Sequence, residues 1–296
     1  MNAVAALLVV SSAGLHATWN LLAKRSRDAL AFLFLVNVAT LAIYALPFVL
    51  FVGVHPILAG GWPFVAATSA LHVWYYRCLA AAYTHGALSL AYPVSRGTGV
   101  ALVPLLALPL LGERITRAGG LGMALVLAGI VTVHRAPLRS LVGQPRGIVA
   151  GGRGAEGALG TLFALLTGAA ICGYSLVDKA GVARVHPVAY GYLLIAGSTL
   201  GLAPCVLGRR RGALRLTWAE HRGAVMAGGV LVLGTYLIVL GAMRLAPLSY
   251  IVPLREVSVV IGAALGVWLL GEGTGRERIA GAALILAGAL AIATLG

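Results

Sequence analysis

The chain has 296 residues, of which 60% are hydrophobic and only 10% charged, and a mean hydropathy of +0.97. Its apolar runs are long, non-alternating and spread over the whole length, which excludes a soluble globular domain and a β-barrel. The net charge of +14 comes from Lys and Arg gathered between the apolar runs, as in a polytopic membrane protein, so no nucleic-acid partner is expected.

Ten spans are predicted at about 3–23, 29–53, 60–84, 87–111, 116–134, 157–178, 186–207, 222–244, 247–270 and 277–295. Each is about 19–25 residues long, enough to cross roughly 30 Å of hydrocarbon at about 1.5 Å per residue. The first is a retained span rather than a signal peptide. No basic residue precedes Ala3–Ala23, and Lys24-Arg25-Ser26-Arg27 follows it, whereas a signal carries its charge in front.

Along the first span His16 and Asn20 share a face, with Trp19 beside them. That polar stripe reads either as an interhelical clasp or as cavity lining, and His16 is also a candidate for protonation. The third span holds His72, Trp74, Tyr75, Tyr76 and Arg77. Successive residues point all round a helix, so His72 and Tyr76, four apart, are the pair expected to face inward. The remainder suits an interfacial aromatic belt with Arg77 snorkelling.

The fourth span opens Leu88-Ser89-Leu90-Ala91-Tyr92-Pro93-Val94-Ser95-Arg96 and ends Leu111-Gly112-Glu113. The ninth repeats it as Leu248-Ser249-Tyr250-Ile251-Val252-Pro253-Leu254-Arg255-Glu256, ending Leu270-Gly271-Glu272. Pro93 and Pro253 cannot donate to the carbonyl four residues back, that of Ser89 in one copy and of Ser249 in the other, and are expected to kink both helices. Arginine within a span is costly and calls for a partner, a wet cavity or a ligand. Arg96 and Arg255 are therefore the first candidates to hold an anionic group, with Tyr92 one turn from Arg96. Glu256 is expected either to pair with Arg96 or to take up a proton as a coupling carboxylate. Glu113 and Glu272 read as span ends partnered by Arg114 and Arg276.

The only long connection, 135–156, is basic and rich in Gly, Pro and Arg. It separates a first five-helix repeat, 1–134, from a second, 157–296. His16…Trp19…Lys24 is echoed by Ile171…Tyr174…Lys179, and Gly122…Gly129 by Gly281…Gly288. An odd number of spans per repeat inverts the second copy in the bilayer, and such pairs enclose a site near the midplane. The glycine pairs are expected to let the fifth and tenth helices pack closely. Tyr174 joins the candidate pocket residues, while Asp178 and Lys179, at the end of their span, read as anchors or a gate.

No ATP-binding loop, zinc-binding helix or nucleophile elbow is present, so no enzyme, metal or cofactor is expected. Cys78, Cys172 and Cys205 fall in apolar runs without metal-ligand or redox spacing. The basic residues concentrate in the loops after spans one, five, seven and nine, which favours both termini outside.

The ordered set His16…Trp19-Asn20…Lys24, Tyr92-Pro93…Arg96, Val252-Pro253-Leu254-Arg255 and the paired Leu-Gly-Glu ends resembles the two-repeat EamA-type branch of the drug/metabolite transporter (DMT) superfamily. The resemblance covers essentially the whole chain. It implies an all-α bundle of two inverted repeats around a central cavity, and, in contrast to the charge distribution, cytoplasmic termini. It also implies secondary active export or exchange of a small metabolite by alternating access in the bacterial cytoplasmic (inner) membrane. Sugar-phosphate exchangers of similar layout bind anions with basic residues on the ninth helix. The Glu beside Arg255 favours a carboxylate or amino-acid-like substrate over a doubly charged phosphate. The expected partners are a small-molecule substrate, the lipid bilayer and coupling protons, with the chain a monomer or homodimer. The expected substrate-binding set is Arg96, Arg255, Trp19, Asn20, Tyr76, Tyr92 and Tyr174, with Glu256 and His16 for coupling. The alternative is a non-transporting membrane subunit or a lipid-carrier flippase component.

Overall fold

The computed structural model describes residues 1–24, 26–86, 88–133, 153–270 and 276–296. The side chains of Trp19, Asn20, Ser89 and Pro93, most of the 135–156 connection, and Glu272 lie outside the described residues. All described regular structure is helical: α1 Ala3–Lys24, α2 Ala29–Val54, α3 Trp62–His85, α4 Leu88–Leu111, α5 Arg117–Val133, α6 Arg153–Gly181, α7 Pro187–Arg209, α8 Arg211–Leu245, α9 Leu248–Leu254, α10 Val257–Leu270 and α11 Arg276–Leu295, plus a short 3-10 turn, Ala59–Gly61.

Every predicted span coincides with helix, and the ninth is split into α9 and α10. Six of the helices are long and apolar enough to cross a membrane, and Ala3–Thr18 and Arg117–Val133 are shorter apolar helices. Among the described residues three helices fall short for local causes, and α1 is counted only as far as Thr18. The polar run from His72 to Arg77 dilutes α3, α5 has only 17 residues, and the break shortens α10 to 14. Leu7, Leu46, Val54, Leu110, Leu200 and Leu290 are exposed, a surface that lipid and not water would cover. The protein is thus an all-α, multi-pass membrane protein.

The predicted loop before the eighth span is largely helical. Arg211–Glu220 forms the start of α8, which bends at His221, where φ −130° and ψ 21° leave the helical region. The basic residues counted there as loop stand partly on helix.

The helices fall into two compact units. One comprises 1–3, 74–176 and 247–296, the other 4–73 and 177–246. Each draws on both halves of the sequence, and α3 and α6 contribute to both.

In the first unit α4 packs on α9 and α5 on α11. The α5–α11 contact is made by the repeated glycines. A β-carbon on Gly129 would lie 2.7 Å from the Gly281 carbonyl oxygen, one on Gly281 2.7 Å from that of Gly129, and one on Gly122 2.8 Å from that of Gly288. Backbone meets backbone, as small residues allow between membrane helices. In the second unit α2 packs on α8, where Thr40 Oγ1 donates to the Gly229 carbonyl at 2.8 Å. Helix α3 meets α7 where Gly197 abuts Ser69 and Gly201 abuts Val73. Exchanging the sequence halves maps α4–α9 and α5–α11 onto themselves and turns α2–α8 into α7–α3.

Gly129→Leu would force α5 off α11 and is expected to cost about 1–3 kcal/mol or more. The check is the thermal unfolding midpoint of the purified protein in detergent. An unchanged midpoint would mean that the contact carries little stability.

Candidate functional site

The ninth span does not break at Pro253, where the carbonyl of Ser249 loses its donor, but just beyond it. Helix α9 ends at Leu254 and α10 begins at Val257, with the Arg255 amide donating to Ile251 O at 3.1 Å and the Glu256 amide to Pro253 O at 3.0 Å. This turn of 3-10 character presents Arg255 and Glu256 at a discontinuity. Helix α4 has no counterpart break and remains helical through Pro93.

The start of α9 is fixed from the first half. Gly112 takes φ 64° at the end of α4, a left-handed conformation that glycine adopts without a β-carbon penalty. Glu113 follows. Its Oε1 accepts from the Leu248 amide at 2.5 Å, and its Oε2 accepts from the Ser249 amide at 2.9 Å and the Ser249 hydroxyl at 2.6 Å. The carboxylate satisfies amide donors that a helix start leaves open. Glu113 is therefore a helix cap, and the expected partnership with Arg114 is corrected. Tyr250 adds a second tie, its hydroxyl accepting from the Thr116 amide at 2.8 Å.

Arg96 and Glu256 meet within this unit. Arg96 Nη2 lies 2.5 Å from Glu256 Oε1, and Nε 3.4 Å from Oε2. The glutamate side chain is 1% exposed and the arginine 13%. Of the two roles expected for Glu256, the geometry displays the ion pair. Arg255, by contrast, has no hydrogen-bond or ion-pair partner among the described residues and is only half-buried. Both arginines, Glu256, Tyr174 and Ser175 line one small cavity, closed by Val100, Ile171 and Val252. Its free volume of ≈ 10 Å³ holds about one water molecule.

Tyr76 and Tyr92 stand outside that lining. Tyr76 meets Tyr75 edge-on at 5.2 Å between ring centroids, and Tyr75 meets Tyr174 at 5.8 Å. Tyr75, passed over in the sequence, is thus the third-helix aromatic next to a cavity residue. Trp74 and Arg77 are exposed, as an aromatic belt and a snorkelling arginine require. His16 is half-buried on α1.

His72 is buried, as expected of a residue facing inward, within a polar cluster of the second unit that sequence reasoning missed, while Tyr76 belongs to the first unit. At the centre of that cluster is Asp178, 0% exposed. Asp178 Oδ1 accepts from Thr68 Oγ1 at 2.6 Å and from the Tyr190 hydroxyl at 2.8 Å, and Oδ2 accepts from the Tyr236 hydroxyl. His72 Nδ1 lies 2.9 Å from Thr68 O, and Nε2 3.5 Å from the Tyr236 hydroxyl. Lys179 is turned elsewhere, donating to the carbonyls of Met243 and Ala246 at the end of α8. Asp178, read as a span-end anchor or gate, is instead the buried centre of this cluster. The available signal was an acidic residue inside a span with Tyr174 one turn before it.

Residues 158–294 match the EamA-like transporter family. Over those residues, just under half of the chain, the protein is similar to EamA-like transporters. No curated protein shows significant similarity to the chain. A solved crystal structure of a protein with 21% sequence identity matches it with a TM-score of 0.70, covering 99% of this chain and 99% of that one. That likeness establishes the fold.

Removing one partner of a buried ion pair strands the other charge, at about 3–5 kcal/mol, whereas replacing both by apolar groups of similar volume is near neutral. Glu256→Ala is therefore expected to destabilise the protein strongly, and the double change Arg96→Met with Glu256→Leu to recover most of the loss. Thermal midpoints of the three proteins check this. A double variant no better than the single one would deny the pair its coupling.

Proposed function

We propose that this protein, with its EamA-like transporter domain, is a secondary active transporter that exports or exchanges a small carboxylate or amino-acid-like metabolite by alternating access. Its place is the bacterial cytoplasmic (inner) membrane. One observation carries the reading: Arg255 lines a cavity with no partner among the described residues, beside an arginine whose charge Glu256 already balances.

Charge accounting then selects the substrate. Arg96, Arg255 and Glu256 together leave one positive charge in a low-dielectric setting, where an uncompensated charge is costly. A monoanionic carboxylate neutralises the site, and a dianionic phosphate would over-compensate it. The guanidinium of Arg255 can take a carboxylate through two parallel hydrogen bonds. Tyr174 offers the same ligand an amphipathic wall. A zwitterionic amino acid also meets Arg255 with its carboxylate, but it leaves the site's positive charge in place and needs an acceptor such as Ser175 for its ammonium, so the charge accounting favours the monoanion.

The cavity as it stands admits about one water, so substrate entry requires the helices lining it to separate. That need is met by alternating access, in which a site opens to one side at a time. Glu256 serves here as the partner that keeps Arg96 in place.

The test is flux in proteoliposomes holding only this protein, against a panel of amino acids, monocarboxylates and sugar phosphates. Flux of monoanionic or zwitterionic solutes is expected, with Arg255→Ala weakening half-saturation by about 10- to 100-fold, the loss of one charge-assisted contact. Arg255→Lys should retain part of it. Folded Arg255→Ala with undiminished flux would remove Arg255 from the site. Absence of flux for every solute would favour a non-transporting subunit or flippase component.

A further inference from the structure

We propose that Asp178, His72 and Tyr236 form a proton-binding site that couples the transport cycle to the proton gradient, the coupling role resting on the transporter reading above. A carboxylate with no exposure inside a membrane protein needs a countercharge or a proton. Among the described residues Asp178 makes no ion pair with any Lys or Arg, and the adjacent Lys179 is bonded to the last carbonyls of α8. What surrounds the carboxylate are three hydroxyls from three helices, Thr68 on α3, Tyr190 on α7 and Tyr236 on α8, together with the imidazole of His72 on α3.

These groups have room for one proton between them. With the proton on His72, Nδ1–H donates to Thr68 O, and Nε2–H points at the oxygen of the Tyr236 hydroxyl, 3.5 Å away, which itself donates to Asp178. With the proton on Asp178, the imidazole is neutral and the carboxylic acid shares the same hydroxyls. Both forms are neutral. Loss of the proton leaves one negative charge fully buried, so release is favoured only when water reaches the site. A conformation that buries the cluster therefore binds the proton more tightly than one that hydrates it, and that difference in affinity is what lets a gradient drive a conformational change.

A covalent route links this cluster to the cavity. Helix α6 carries Tyr174 and Ser175 in the cavity lining and Asp178 one turn further on. Helix α3 carries His72 in the cluster and, three residues on, Tyr75 against Tyr174. A proton-dependent shift of either helix is therefore felt by cavity-lining residues.

Two measurements on the full-length purified protein test the proposal. The first is infrared difference spectroscopy between acid and alkaline pH, read at the carbonyl stretch of a protonated, buried carboxylic acid. A titrating band is expected in the wild type, absent from Asp178→Asn and shifted in midpoint by His72→Gln. A band that Asp178→Asn leaves intact overturns the proton site, as does a wild type with neither that band nor a titrating imidazolium signal that His72→Gln removes. The second is flux in proteoliposomes, taken as the ratio of uptake with an imposed pH gradient to uptake without it. Asn mimics the protonated acid, so Asp178→Asn is expected to abolish the gradient's effect on that ratio. A ratio that stays at the wild-type value, or one driven by a sodium gradient in place of protons, overturns the coupling role. If Asp178→Asn does not fold, His72→Gln takes its place: an unshifted band midpoint overturns the proton site, and an unchanged flux ratio overturns the coupling role. A wild type that moves no solute overturns the transporter reading and the coupling role with it, while the infrared result still decides the proton site.

Discussion

The Arg96–Glu256 ion pair is the constraint on which the arrangement of the first unit turns. It joins the middle of α4 to the gap between α9 and α10, and it does so with a carboxylate withdrawn almost completely from solvent. Desolvating two charges is repaid only if the geometry is good and the remaining lone pairs find donors. The turn at 255–256 falls where α9 ends, and Glu256 there meets Arg96 of α4. The break is held open at its other end by Glu113, which caps α9 from the loop after α4. One short helix is thus pinned at both termini by acidic side chains, one meeting an arginine and the other backbone amides.

Much of this was legible in the sequence, for a plain reason. Span positions depend on runs of apolar residues about 20 long, which no alternative structure accommodates, and the repeat of Ser, Pro, Arg and Leu-Gly-Glu shows in the residues themselves. The Arg96–Glu256 pairing could be proposed because Glu256 follows Arg255, the counterpart of Arg96 in the repeat. Close packing of α5 on α11 could be proposed because two glycine pairs with the same spacing suggest facing backbones. The side-chain roles of Trp19 and Asn20 stand as proposals.

What was not legible depended on contacts between residues far apart in the chain. Glu113 has Arg114 beside it, so a local partner was expected. The amides it caps lie in the other half of the sequence, and the clue that Gly112 would take a left-handed turn does not say where the next side chain goes. Asp178 looked like a boundary residue because it sits near a helix end and precedes a lysine. Nothing in linear order reveals that Thr68, Tyr190 and Tyr236 converge on it from three helices. The separation of His72 from Tyr76, the two expected to face inward, has a related reason. Residues four apart share a face of α3, yet the helix passes from one compact unit to the other between Val73 and Trp74. Neighbours one turn apart then meet different surroundings.

The two polar clusters, each taken by itself, have complementary needs. The one at the α9–α10 break has an arginine in excess and is neutral when it holds a monoanion. The one around Asp178 has a carboxylate in excess and is neutral when it holds a proton. In an apolar setting each vacancy is unfavourable, so each site has a physical reason to be filled before the helices close around it. Helices α3 and α6 each carry residues of both clusters, which is the basis of the proposed coupling. In the proposed cycle these two helices are the elements through which substrate and proton occupancy depend on each other.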